Sequence, residues 1–310
     1  MPQLLTATRI LERTMPTTAR RILVYGAVCL AYLASILLGA GTFYGLASFS
    51  RNPGFWGQLG AILGLAACIY GILQFRPVLL YRVDLLHLLA IIKRLTGQEL
   101  PSGKEQVAQL KVLASNLFAS PRESYACYLK IRQLVFEAFA NLPPTNRLSS
   151  ALPKPFSTWL QRGLTASLLG KPATEAILAF AGKEGSLNDL RRGALSFCAH
   201  YAEVLKHALM ASVFLYGLSL FAFWLFLKPV GWVDASLPSD FGFWRYVVAL
   251  ILTYWIKLAF LDPIVAAALL IHLLHLEGKT PFSEQTLKEW HLKLPSLAEL
   301  PGEANKTLPK

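Results

Sequence analysis

Uncharged stretches long enough to cross a bilayer alternate along this chain with shorter charged ones. Ile22 to Ser50 carries no charged side chain and is rich in Leu, Ala, Gly and Tyr. At 1.5 Å per residue it exceeds the roughly 30 Å hydrocarbon core of a membrane. It is also longer than the apolar core of a cleavable signal peptide, about 7–15 residues. Arg20-Arg21 just before it therefore reads as a cytoplasmic anchor. Arg51-Asn52-Pro53-Gly54 is a run of helix breakers, and Phe55 to Phe75 is the second uncharged stretch. The pair predicts a tight hairpin of spans. Gly39, Gly41 and Gly45 are expected to face Gly57, Gly60, Gly64 and Gly71 across it, because small residues let helix backbones approach where lipid offers no drive for association.

A third apolar run, Ala208 to Leu227, ends at Lys228-Pro229. A link from Val230 to Phe243 follows, with Trp232 and Trp244 near it as tryptophans of an interfacial belt. The fourth run, Tyr246 to Leu276, would be about 46 Å long as a straight helix. That is too long for one untilted crossing, so a tilt or a break at Asp262-Pro263 is expected.

Between the two pairs the pattern changes to amphipathic helix. Leu79 to Leu95 (LLYRVDLLHLLAIIKRL) places Arg82, Asp84, Lys93 and Arg94 on a polar side, and either lies along the membrane surface or packs into a domain. Lys104 to Ala119 and Arg122 to Asn141 are further helices, separated by Ser120-Pro121, a cap followed by a first-turn proline. Leu142 to Pro155 holds four prolines and reads as a loop. Phe156 to Leu169 and Ala173 to Ala181 read as shorter helices. Ser186 is expected to cap a last helix running straight into the third span. No alternating β-branched run argues for a sheet. The fold class expected is all-α: a polytopic membrane protein with about four transmembrane helices in two hairpin pairs and a helical domain between them. The divisions are an N-terminal tail (1–21), a hairpin (22–76), a basic helical domain (77–207), a second pair of spans (208–276) and a C-terminal tail (277–310).

Composition agrees. Of 310 residues 54% are hydrophobic and 15% charged, against about 25% charged in soluble domains. The formal net charge of +12 could suggest nucleic acid. In a membrane protein its first explanation is retention of Lys and Arg on the cytoplasmic side, with contact to anionic lipid as an addition. Arg9, Arg13, Arg20 and Arg21 lie in the N-terminal tail, most of the rest lie between Arg76 and His207, and the links offer only Arg51, Lys228 and Arg245. Both termini and the central domain are therefore expected in the cytoplasm, with no nucleic-acid partner.

Candidate chemistry is sparse. Cys29, Cys68, Cys127 and Cys198 show neither disulfide nor zinc spacing and read as small apolar residues. Lys257 and Asp262 lie in an apolar segment, where a charge costs about 2.5–3.5 kcal/mol on insertion scales. They form the candidate intramembrane polar site, against the alternative that Asp262 caps a second half-helix near the interface. His200, Glu203 and His207 share one helical face, and so do His272 and His275. The trio could bind a divalent cation but reads first as a solvated or packed face; the pair has no further ligand in register and reads as interfacial histidines, so no metal or other cofactor is expected. Arg122, Lys130, Arg132, Arg191 and Arg192 are the candidate contacts for lipid or a protein partner. No P-loop, dinucleotide fingerprint, zinc-protease helix or nucleophile elbow is present, so an enzyme is not expected.

Two resemblances add to this reading. Ala181-Gly182-Lys183-Glu184-Gly185-Ser186-Leu187, before a helix and a span, resembles the platform proteins of type II secretion and type IV pili, and the span arrangement is similar to the Tad-type platform. The family shows Gly-Glu, one residue, Ser-Gly, one residue, Leu; here Lys183 intervenes and the Ser-Gly order is reversed. Arg192-Gly193-Ala194 with Tyr201 and Leu205-Lys206, then Lys257 to Pro263, then Gly278-Lys279-Thr280-Pro281 with Trp290, resembles an uncharacterised bacterial multi-span inner-membrane family. The second resemblance implies this topology and a bacterial inner membrane. The central domain is too large for a connecting loop, so a scaffold or assembly component of a membrane complex, with protein partners or a homo-oligomer, is expected. An oligomeric transporter using Lys257 and Asp262 is the alternative.

Overall fold

A computed structural model describes residues 2–141, 170–235, 242–277, 289–290 and 292–301. The expected loop at 142–155 and helix at 156–169 lie outside the described residues, as does the 236–241 part of the link, with Asp240. The described chain is helical, with no strand among the described residues. In order the helices are α1 (Pro2–Arg13), α2 (Met15–Leu46), α3 (Pro53–Phe75), α4 (Leu80–Leu95), α5 (Lys104–Leu117), α6 (Pro121–Asn141), α7 (170–179), α8 (Leu187–Ala199), α9 (Tyr201–Ala235), α10 (Trp244–Ile256), α11 (Asp262–Leu276) and the short α12 (Pro295–Ala298). Four apolar helical segments are long enough to cross a membrane: Met15–Leu46, Pro53–Phe75, Tyr201–Ala235 and Trp244–Leu276.

Local signals set most boundaries. The Asn52 side chain accepts the Phe55 N–H at 3.2 Å and Pro53 opens α3, a capped start with the proline where no helix N–H is needed. Ser120 accepts the Glu123 N–H at 3.1 Å while Glu123 accepts the Ala119 N–H at 2.8 Å, a reciprocal arrangement of the capping-box type at the start of α6. Ser186 caps α8 through the Asp189 N–H. The helix it starts does not run into the third span: it stops at His200, and α9 begins afresh at Tyr201. Pro229 does not end the third span, because α9 continues past it to Ala235.

The chain divides into two compact units, 1–18 with 84–215 and 262–310, and 19–83 with 216–261. The second contains α3, α10 and the greater parts of α2 and α9. Its four helical stretches, Ala19–Leu46, Pro53–Phe75, Tyr216–Ala235 and Trp244–Leu261, measure about 42, 35, 30 and 27 Å, each near the length of one crossing. Within it α2 and α3 meet through glycine. A Cβ on Gly39 would land on the Gly60 carbonyl oxygen, and one on Gly64 on the Ser35 carbonyl oxygen. Gly41, Gly45 and Gly71 face open space and take no part in this contact, contrary to expectation.

The same unit holds the irregularity anticipated at Asp262-Pro263. The helix does not break; it widens into a π-helical turn at Lys257–Leu261 before α11 resumes. In such a turn each carbonyl is met by the N–H five residues on. Five residues after Leu258 stands Pro263, which has none. The Arg21 Nε donates to the Leu258 carbonyl at 3.0 Å instead. Arg21 is fully buried, with its guanidinium 5.4 Å from the Tyr25 ring centroid. It is an internal donor rather than the surface anchor expected from Arg20-Arg21.

The other unit is a helical body built around α11. Eleven of the fifteen residues of α11 are buried, including Val265, Leu269, Leu270, Leu273 and Leu276. A helix apolar on every face lies either in lipid or inside protein; here protein encloses it, and burying each large side chain contributes about 1.5–3 kcal/mol. Part of the enclosure is α1, which packs on α11 through a face that buries Ala7, Ile10 and Leu11. The expected N-terminal tail is thus helical and docked. At the other end, α12 packs on α6, burying Leu294 and Leu297, with the Ser296 hydroxyl donating to Glu137 at 2.6 Å. The amphipathic segment settles as α4, a packed element with Leu85, Leu86, Leu88, Leu89, Ile91 and Ile92 buried. Asp84, expected on its polar side, is buried, and so is His87, whose Nδ1 lies 3.1 Å from the Thr17 hydroxyl.

Candidate functional site

Two polar clusters lie in the helical body, and each has α11 as one wall. The first is at its start. Asp262 is the first residue after the π turn. The Lys171 Nζ donates to its Oδ2 at 2.8 Å and lies 3.7 Å from Glu175, one turn further along α7. The side chains of Asp262, Glu175 and Lys171 are 1%, 3% and 24% exposed. Two carboxylates thus share one ammonium in a nearly closed setting. Buried ions carry a desolvation cost that only good geometry offsets, and removing one partner is far more damaging than never having had the pair. Chemically the arrangement can lock α7 to α11, or hold a proton between two acids.

Lys257 and Asp262, expected as one site, fall in different compact units. The Lys257 Nζ lies 5.6 Å from the Tyr216 ring centroid, within reach of a cation–π attraction. Asp262 begins α11 and is buried. The residues that answer it, Lys171 and Glu175, sit near the start of an apolar helix. Their i, i+4 spacing was the only sequence signal for them.

The second cluster is at the start of α9. Glu203 and His207 are four apart on one face, and the His272 ring of α11 meets them. The His207 and His272 ring centroids are 3.9 Å apart, and the His272 Nε2 is 3.7 Å from Glu203 Oε1. The nearest ligand atoms of Glu203, His207 and His272 all lie within 4.8 Å of one another. His272 is buried and Glu203 is exposed. The structure therefore takes members from each of the two helical faces noted in the sequence and combines them. His200 instead has its Nδ1 3.2 Å from the Ser196 carbonyl, and His275 is exposed.

The basic candidates are dispersed in role. Arg122, Lys130 and Arg132 are exposed on α6. Lys130 reaches Glu299, 3.7 Å from its carboxylate, and Arg132 lies over Phe136 with 5.4 Å to the centroid. Arg191 and Arg192 on α8 are half-buried, Arg192 lying 3.7 Å from Asp189. The 181–187 segment is also accounted for internally. Gly182 abuts Leu89 and Ile92, leaving no room for a Cβ, and Gly185 has φ +87°, the left-handed region that favours glycine. The Lys183 ammonium donates to both Glu277 oxygens at 2.8 and 2.9 Å. Burial pushes the Cys127 and Cys198 thiols up to about 12, which leaves them protonated and inert near neutral pH.

Compared with protein-family models, curated proteins and solved structures, the chain matches none.

Proposed function

We propose that this polytopic membrane protein is a scaffold or assembly component of a bacterial inner-membrane complex, with the helical body as its cytoplasmic working part. The observation that supports this is the enclosure of α11. An apolar helix with the hydropathy of a membrane span is spent as the core of a body that gathers the N-terminal helix, the middle region and the C-terminal segment. Such a body is a rigid membrane-tethered platform rather than a connecting loop, and α6 offers it an exposed basic face at Arg122, Lys130 and Arg132. The protein is purified from native membranes in nanodiscs, wild type beside Arg122→Glu/Arg132→Glu, and what co-purifies is identified by mass spectrometry. A recurring heterologous set that the charge-reversed protein loses supports the reading. A chain recovered alone, or with only copies of itself, counts against it.

A second reading, an oligomeric proton- or ion-coupled transporter, draws on one observation: Asp262 and Glu175 share a single Lys171. On that reading Asp262→Asn, reconstituted in liposomes, abolishes a pH-driven flux that wild type carries, while the protein inserts and melts as wild type does. A variant that melts early instead assigns the cluster to structure.

A further inference from the structure

We propose that Glu203, His207 and His272 bind one transition-metal dication of the zinc class. The donor set is two imidazoles and one carboxylate, a combination that suits zinc, nickel or cobalt and disfavours magnesium and calcium, which take oxygen ligands. Three protein ligands with a position left for water is the pattern of an open zinc site.

The geometry is close to competent. Ligand atoms about 2.0–2.1 Å from a tetrahedral ion lie about 3.3 Å from one another. The present separations reach 4.8 Å at most, and the His272–Glu203 pair is already at 3.7 Å. Closing the gap needs a movement of about 1.5 Å or less, the scale of a side-chain adjustment. The Glu203 side chain is 52% exposed and so free to move, whereas the His272 side chain is 4% exposed and fixed by packing. The site thus has one rigid ligand, one half-buried ligand and one mobile ligand on the solvent side through which an ion can enter. The alternative use of the same atoms is a metal-free cluster in which the imidazoles pack on each other and Glu203 faces His272.

The test uses full-length protein in detergent, purified through a tag without histidine and stripped with a chelator. Titration with Co²⁺ reads the visible d–d bands of a low-coordinate site, and Zn²⁺ is then added in competition. Wild type is expected to take up about one Co²⁺ per chain, released by Zn²⁺ and unaffected by excess Mg²⁺. Changes outside the ligand shell already cost about 10–100-fold in metal affinity, so Glu203→Gln and His207→Ala should each weaken Zn²⁺ binding by at least about tenfold. His275→Ala, on the same helix but outside the cluster, should leave it unchanged. Glu203 is exposed, so Glu203→Gln keeps the test decisive should the His272→Ala protein fail to fold. Absence of stoichiometric binding in wild type overturns the proposal. So does undiminished binding in folded Glu203→Gln and His207→Ala proteins.

Discussion

At the scale of single residues, buried charge and buried thiols give the clearest expectations. Lys171 serves two carboxylates, so Lys171→Met removes the ammonium that Asp262 and Glu175 share. Asp262→Asn, by contrast, leaves the Lys171–Glu175 pair in place. Breaking a buried pair from one side costs about 3–5 kcal/mol. If the cluster is structural, both variants melt below wild type in detergent and Lys171→Met melts lowest; the reverse order would mean that Lys171 is not shared. Cys127 and Cys198, with thiols raised to about 12, should resist maleimide at pH 7.5 and react once the protein is unfolded. The linkage has a definite sign. The folded state holds the thiol protons more tightly, so its contribution is intact below the ordinary thiol range and is lost as pH rises from about 9 toward 12. Asp262 could be singled out from the sequence because a charge in an apolar run is costly. Its partner could not, since nothing in a linear pattern says which of many lysines the fold will bring across 91 positions.

Helices and their junctions were more legible. Apolar run length and breakers located the four spans, and cap residues located α6 and α8. Two prolines expected as breakers lie within continuous helix, and at Pro263 the cause is visible: a breaker acts only if the freed backbone group has no other partner. Pro229 lies inside α9. Pro263 is tolerated through a π turn and a donor from Arg21, far away in the chain. A hydrogen bond from a charged donor contributes about 1.5–3 kcal/mol, so Arg21→Met should lower the melting temperature measurably. In a Pro263→Ala background, where a backbone N–H becomes available, the same change should cost less. An unchanged cost in that double-mutant cycle would detach Arg21 from the proline. The glycines divide in the same concrete way. Gly60→Leu or Gly64→Leu must separate α2 from α3, because each would put a side chain on a carbonyl of the facing helix. Gly41→Leu and Gly45→Leu should be tolerated. Thermal unfolding of the four proteins checks the division, and equal losses would refute it. All of these glycines looked alike in sequence, since spacing marks a small-residue stripe but not which members touch.

For the whole molecule, class and span number followed from hydropathy, while the division of labour within the apolar segments did not. A scan cannot tell an apolar helix in lipid from one enclosed by protein, because both exclude water; α10 and α11 differ only in what surrounds them. Removing residues 2–13 should uncover one wall of α11 and make the 84–215 region susceptible to limited proteolysis, with protection unchanged if α1 is dispensable. The enclosed helix also sets a timetable. The ribosome makes α1 well before α11, yet the two pack together. Until the last apolar segment emerges, the body made from the earlier residues has a missing centre and exposes the surfaces meant to line it. Maturation of the body therefore cannot keep pace with synthesis, and nascent chains must be shielded or remain loosely packed until α11 has been made. A stop codon before Asp262 would then produce no smaller working version of the protein, only a substrate for proteolytic quality control.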